Sequence, residues 1–128
     1  MAIAGSIREA TTAGFGKDSV MTTMTVANDP ALIRLRDALR GTYGNRIDRV
    51  VLFGSRARGD GGPDSDYDVA VFLNDPGELW DELGTLAHIT TAILNDTGAV
   101  ISAKPFSAGA YRDRSPLMHE IRADGLEL

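Results

Sequence analysis

Leu32, Leu35 and Leu39 recur at helical spacing, with Arg34, Arg36 and Arg40 between them. That pattern predicts an amphipathic helix with one buried stripe. Asp29-Pro30 stands at its head: an aspartate suited to capping free N–H groups, then a proline suited to the first turn. Gly41 and Gly44 are expected to end it. Residues 49–53 read as a buried strand, residues 54–63 as a glycine-rich loop and residues 67–73 as a second strand. Asp75-Pro76 repeats the cap-plus-proline signal, and Leu79, Leu83, Leu86, Ile93 and Leu94 mark the buried stripe of a long helix. Residues 95–98 read as a turn and residues 99–103 as a third strand. Ser115-Pro116 opens a last helix, which Gly125 closes. The order is α-β-β-α-β-α, an α/β fold with helices packed on a small sheet.

Residues 1–28 are rich in Ala, Gly, Thr and Ser and show little periodicity. They are expected to be a flexible tail, or partly sequence upstream of a later start, with the folded domain spanning 29–128. Ser6 and Glu9 have the spacing of a capping box, which allows a short helix there. No internal repeat or low-complexity linker appears.

Composition narrows the classes. A chain of 128 residues, 43% hydrophobic and 24% charged, is expected to be one ordinary globular domain. No run of 18 apolar residues predicts a membrane span, and the first residues lack a basic segment followed by an apolar one. Cysteine is absent, which excludes disulfides and cysteine-based zinc sites and is compatible with a cytoplasmic location. The net charge of -5 argues against a domain that grips long DNA or RNA by its phosphates, though a few local cations could still hold a nucleotide.

The chemistry-bearing segment is Leu52-Phe-Gly-Ser-Arg-Ala-Arg-Gly59 followed by Ser65-Asp-Tyr-Asp-Val69. Asp66 and Asp68 lie two apart at the start of a strand, so both carboxylates share one face and Tyr67 takes the other. Neighbouring carboxylates repel and favour a cation between them. Mg²⁺ suits that place, since it takes oxygen ligands from one or two carboxylates, water and substrate phosphates. Gly54-Ser55 directly follows a strand. Glycine allows a sharp turn and close approach of a phosphate to backbone N–H groups, and the Ser55 hydroxyl adds a donor. Arg56 and Arg58 supply cationic forks. Each feature alone is commonplace. Five positions (Gly54, Ser55, Gly59, Asp66, Asp68), each of average usage about 5–7%, coincide by chance roughly once in a million windows.

Gly54-Ser55, ten residues, then Asp66-x-Asp68 resembles the signature of the DNA polymerase β-type nucleotidyltransferase superfamily. The string GSRARGDGGPDSDYD is similar to its minimal nucleotidyltransferase (MNT) branch, over residues 30–128. The resemblance implies a mixed sheet flanked by helices, with Mg²⁺ and ATP at the loop. By position, Gly54 and Ser55 would hold the triphosphate, and Asp66 and Asp68 would bind metal and carry catalysis; Arg56, Arg58 and Ser65 are further nucleotide-binding candidates from the residues themselves. It also implies a HEPN-domain ribonuclease toxin as partner, in a homo- or hetero-oligomer, the chain acting as an antitoxin that transfers AMP to a toxin tyrosine. An antitoxin that neutralises by contact alone is the alternative. Transfer to a small molecule such as an antibiotic fits a chain this short less well.

One departure bears on activity. The superfamily usually has a third carboxylate on a later strand, whereas Ala99-Val-Ile-Ser-Ala-Lys-Pro105 contains none. Ser102 or Lys104 would fall near its place, and Lys104 could there contact phosphate. Asp96 and Asp113 flank that strand out of register. His88 and His119 are expected to be helix-surface or packing residues. Trp80 and Tyr111 could stack on a base, but Trp80 at a helix start is more often core.

Overall fold

The computed structural model describes residues 26–128; residues 1–25 of the expected tail, with the Ser6/Glu9 capping box, fall outside them, whereas residues 26–28, also expected in the tail, are helical and Val26 packs against the core. Helix α1 (Pro30–Tyr43) begins as its sequence predicts. Asp29 Oδ1 accepts from the N–H groups of Ala31 (2.9 Å) and Leu32 (3.4 Å), and Pro30 sits in the first turn. Ala31, Leu32, Leu35, Leu39 and Tyr43 form its buried stripe. Gly41 lies within the helix; Gly44 alone ends it, at φ 57°.

A 3-10 turn leads into β1 (Ile47–Phe53), two residues longer than the apolar run because Ile47 and Arg49 already pair with the next strand. One helical turn follows, α2 (Ser55–Arg58), and then β2 (Tyr67–Leu73). Helix α3 (Leu79–Thr97) differs from its expected form at both ends. Asp75-Pro76 does not cap it. Asp75 takes φ 54° in the preceding loop, and Glu78 occupies the cap position without a side-chain bond. The helix also runs through the expected turn to Gly98, which closes it at φ 79°. Its buried residues are Glu82, Leu86, Ile89 and Ile93. Leu79, Leu94 and Trp80, all expected on the inner side, are exposed, Trp80 by 81%. A helix on a flat sheet buries one narrow stripe, and these three stand off it.

Strand β3 spans Ile101–Ser107, two residues later than the expected start and past Pro105. It lies at the sheet edge, where a missing N–H is tolerated. A 3-10 helix (Ala108–Arg112) and α4 (Pro116–Asp124) follow; Ser115 Oγ accepts from the Met118 N–H at 3.2 Å, and Gly125 ends α4. The chain then adds β4 (Leu126–Glu127), too short to leave a period in the sequence.

The sheet order is β3-β2-β1-β4. β1 runs antiparallel to β2 and β4, while β2 and β3 are parallel, joined by α3 as a crossover. The sheet is therefore mixed. On one face Val50, Leu52, Val69, Val71 and Leu73 pack against residues of α1 and α3. On the other, Val51, Phe53, Ala70 and Phe72 meet Met118 and Ile121 of α4, with Phe106 and Tyr111 alongside. No described helix is long and apolar enough to cross a membrane.

Candidate functional site

Phe53, the last residue of β1, pairs with Asp68 at the start of β2. The next residue, Gly54, takes φ 75° and ψ -159°, a conformation that residues with a Cβ rarely adopt. A Cβ there would lie 2.5 Å from Asp68 Oδ2 and 3.3 Å from its Cγ. The Asp68 carboxylate thus rests on the bare backbone of Gly54. The chain then turns tightly: the Ala57 and Arg58 N–H groups each donate to Gly54 O at 3.1 Å. Three further N–H groups, of Gly59, Asp60 and Gly61, converge on Ser55 O at 3.0, 3.1 and 3.2 Å. This folds the loop back on itself, so that a Cβ on Gly61 would meet Ser55 Oγ at 2.8 Å and Ser65 Oγ at 3.1 Å. Gly54, Ser55, Ser65 and Asp68 are therefore gathered at one end of the β1–β2 pair. The N–H groups of Ser55 and Arg56 open a helical turn, where geometry supplies no intrahelical acceptor.

Tyr67 separates the two aspartates and is buried on the opposite face, among α1 and α3 residues. Its hydroxyl donates to Asp29 Oδ2 at 2.6 Å, so the residue that caps α1 also anchors the start of β2. Burial, then the bond to Asp29, pushes the Tyr67 hydroxyl up to about 12. Asp68 is half-buried and Asp66 exposed. The Arg56 guanidinium lies 4.2 Å from the Tyr67 ring centre, a cation–π contact. It also donates through Nε to Ser65 O (3.0 Å) and through Nη2 to Pro63 O (2.9 Å). Arg56 thus braces the loop. Arg58 pairs with Asp60 (3.2 Å) and, more loosely, with Glu120 of α4 (3.9 Å).

Across the parallel β2–β3 pair, Asp68 faces Ser102 and Ala70 faces Lys104. The neighbour of Asp68 is thus a hydroxyl, and Asp96 is engaged elsewhere, with Arg34 at 2.5 Å. Among the described residues no group of three His, Cys, Asp or Glu side chains forms a metal site. The pair Asp66/Asp68 still suits Mg²⁺ in donor type: two carboxylates, one of them held against Gly54, of the kind that magnesium takes together with water and phosphate oxygens.

A family model for the nucleotidyltransferase domain matches residues 32–103, more than half of the chain and all of the Gly54-to-Asp68 segment. This chain belongs to that family. Among solved structures, a mutant form of the toxin-antitoxin MntA-HpeT is similar with a TM-score of 0.54 and 14% identity, over 74% of this chain and 69% of that one. A toxin-antitoxin with AMP-PNP gives a TM-score of 0.51 and 17% identity over the same shares. A putative nucleotidyltransferase from Sulfolobus solfataricus gives 0.53 and 14%, over 95% of this chain and 90% of the other. At these identities the likeness is one of fold. No curated protein sequence matches the chain.

Among the described residues, the remaining candidates make no hydrogen bond or ion pair with Gly54, Ser55 or Asp68. Trp80 and His88 of α3 line an open groove with Thr42 and Ile89. Tyr111 meets Phe72 edge-on at 5.4 Å and carries the Arg49 guanidinium 3.8 Å from its ring centre, so it serves packing. His119 is exposed, 3.4 Å from Arg122. Two contributors escaped the sequence reading: Asp29 as the anchor of Tyr67, and Arg56 as a brace. Asp29 was legible as a cap, but nothing in a separation of 38 residues signals the second bond.

Proposed function

We propose that this nucleotidyltransferase domain transfers AMP from ATP, with Mg²⁺, to a tyrosine of a HEPN ribonuclease toxin, and so acts as an antitoxin. The observation that carries the reading is the Asp68 carboxylate held against Gly54, beside the Ser55 and Ser65 hydroxyls. Asp66 and Asp68 would hold Mg²⁺, which when bound supplies charge neutralisation and orientation of phosphate oxygens. The Ser55 and Arg56 N–H groups and the two serine hydroxyls would hold the triphosphate. Transfer forms an O–P bond from the acceptor hydroxyl to the α-phosphorus and breaks the α–β bridge, releasing pyrophosphate. Arg56 acts indirectly, by fixing the carbonyls of Pro63 and Ser65 and so the approach to Asp66. The fold likeness to toxin-antitoxin structures, one of them with AMP-PNP, supports the choice of partner and nucleotide.

A second reading rests on Ser102. With a hydroxyl opposite Asp68 where the resemblance implies a third carboxylate, β3 offers no carboxylate base for the acceptor, and neutralisation by contact alone becomes the alternative. One experiment separates the two. The chain is incubated with the HEPN protein, labelled ATP and Mg²⁺. Label on the toxin that is lost in Asp66→Ala/Asp68→Ala supports transfer. Neutralisation by that double variant, with no transfer by the parent, replaces transfer with binding.

A further inference from the structure

The loop that precedes β2 is acidic. Asp60, Asp64, Asp66 and Asp68 crowd nine residues, and a triphosphate would bring more negative charge to them. The two nearby arginines are both engaged: Arg56 with two carbonyls and the Tyr67 ring, Arg58 with Asp60 and Glu120. One more cation stands on the neighbouring strand. Lys104 stands on β3 in register with Ala70, two residues from Ser102, which is in register with Asp68.

The face is fixed by the packing. Tyr67, Val69 and Val71 face the α1/α3 core with Ile101 and Ala103. Ala70 and Phe72 face the α4 side with Phe106. Period two then puts Asp68, Ser102 and Lys104 on that same α4 side. Adjacent strands lie about 4.8 Å apart and two residues advance about 6.6 Å, so the Asp68 and Lys104 backbones are separated by about 8 Å. A four-carbon stem spans most of that. Ala70, between them, is fully buried in the α4-side core, so the ammonium would have to pass over that packing to reach Asp68. Lys104 is exposed and makes no ion pair among the described residues.

We infer that Lys104 is the substrate-phosphate cation of this site, meeting a phosphate oxygen of the nucleotide on the α4 side of the sheet, where β3 sets Ser102 rather than a carboxylate opposite Asp68. The inference rests on the proposed nucleotide site and adds to it the residue that balances its charge. An edge-strand lysine can also serve merely to block sheet-to-sheet pairing, and that role predicts no effect on a bound nucleotide.

The test measures binding of AMP-PNP with Mg²⁺ by calorimetry, with adenosine as a phosphate-free control. Lys104→Ala is expected to weaken AMP-PNP by about ten-fold, Lys104→Arg to recover most of the loss, and adenosine to bind parent and variants alike. Unchanged AMP-PNP affinity in Lys104→Ala, with binding lost in Asp66→Ala/Asp68→Ala, overturns the role of Lys104 and leaves the site intact. Equal weakening of adenosine and AMP-PNP also overturns it, since the effect would not be on phosphate. If Asp66→Ala/Asp68→Ala binds as the parent does while Lys104→Ala does not, the lysine stands and the metal half of the proposed site fails. Absence of AMP-PNP binding by the parent overturns both.

Discussion

Gly54 is where backbone conformation and side-chain chemistry meet. Its positive φ and the Asp68 carboxylate against its α-carbon each demand a residue without a Cβ. Gly54→Ala therefore forces one of two changes: a shift of the backbone, or displacement of Asp68. We expect a loss of about 1–3 kcal/mol in urea unfolding, and loss of Mg²⁺-dependent AMP-PNP binding larger than that destabilisation explains. Tyr67 makes a different residue-scale prediction. Its hydroxyl is raised from 10 to about 12, first by burial and then by Asp29, and Tyr43 is raised likewise by burial and Glu82. An acid held in its neutral form stabilises the fold fully below pH 10. That contribution is lost as pH rises through the folded value. Melting temperature should fall between pH 10 and 12, and Tyr67→Phe should blunt that fall while costing about 1 kcal/mol at neutral pH.

At the scale of elements, α3 is tied to the sheet by more than its apolar stripe. Glu82 is only 6% exposed, yet it accepts from Arg46 Nη2 at 2.6 Å and from the Gly77 N–H at 2.9 Å. Burial alone would raise its carboxyl; the Gly77 bond and Arg46 outweigh it and hold the group below the usual range. The stabilisation is complete above pH 4.5 and is lost as pH falls through the lowered folded value. Glu82→Gln should cost about 2 kcal/mol in denaturant unfolding at pH 7 and remove part of the acid sensitivity below pH 4.5. Strand β3 carries the corresponding functional prediction. Ser102→Asp would set a carboxylate beside Asp68 in register. The variant should gain a second Mn²⁺ ion in the presence of AMP-PNP, counted by electron paramagnetic resonance, and raise transfer to the toxin. An unchanged count would mean that position 102 does not face the metal.

At the scale of the whole molecule, the site is assembled from elements far apart in the chain. Gly54 follows β1, β2 brings Asp68, the 60–65 loop brings Ser65, and β3 sets Ser102 in register with Asp68. From the opposite face of the sheet, Asp29 at the head of α1 anchors Tyr67 between the two aspartates. Much of this was legible beforehand. The Gly54-Ser55 and Asp66/Asp68 spacing, the caps at Asp29-Pro30 and Ser115-Pro116, and the bounds of β2 all follow from residues within a few positions of one another. Hydrogen-bond caps and alternation of side chains act over that range, so sequence alone determined them. The exposure of Trp80 and Leu94, the failure of Asp75-Pro76 to cap α3, the two-residue β4 and the bracing role of Arg56 were decided by tertiary structure. The same holds for the residue opposite Asp68. A carboxylate-free strand is visible in the sequence, but only the register of β2 and β3 places Ser102, and not Lys104, beside Asp68. Register depends on how two separated segments slide to bury their apolar faces, and no local pattern in either segment contains that information.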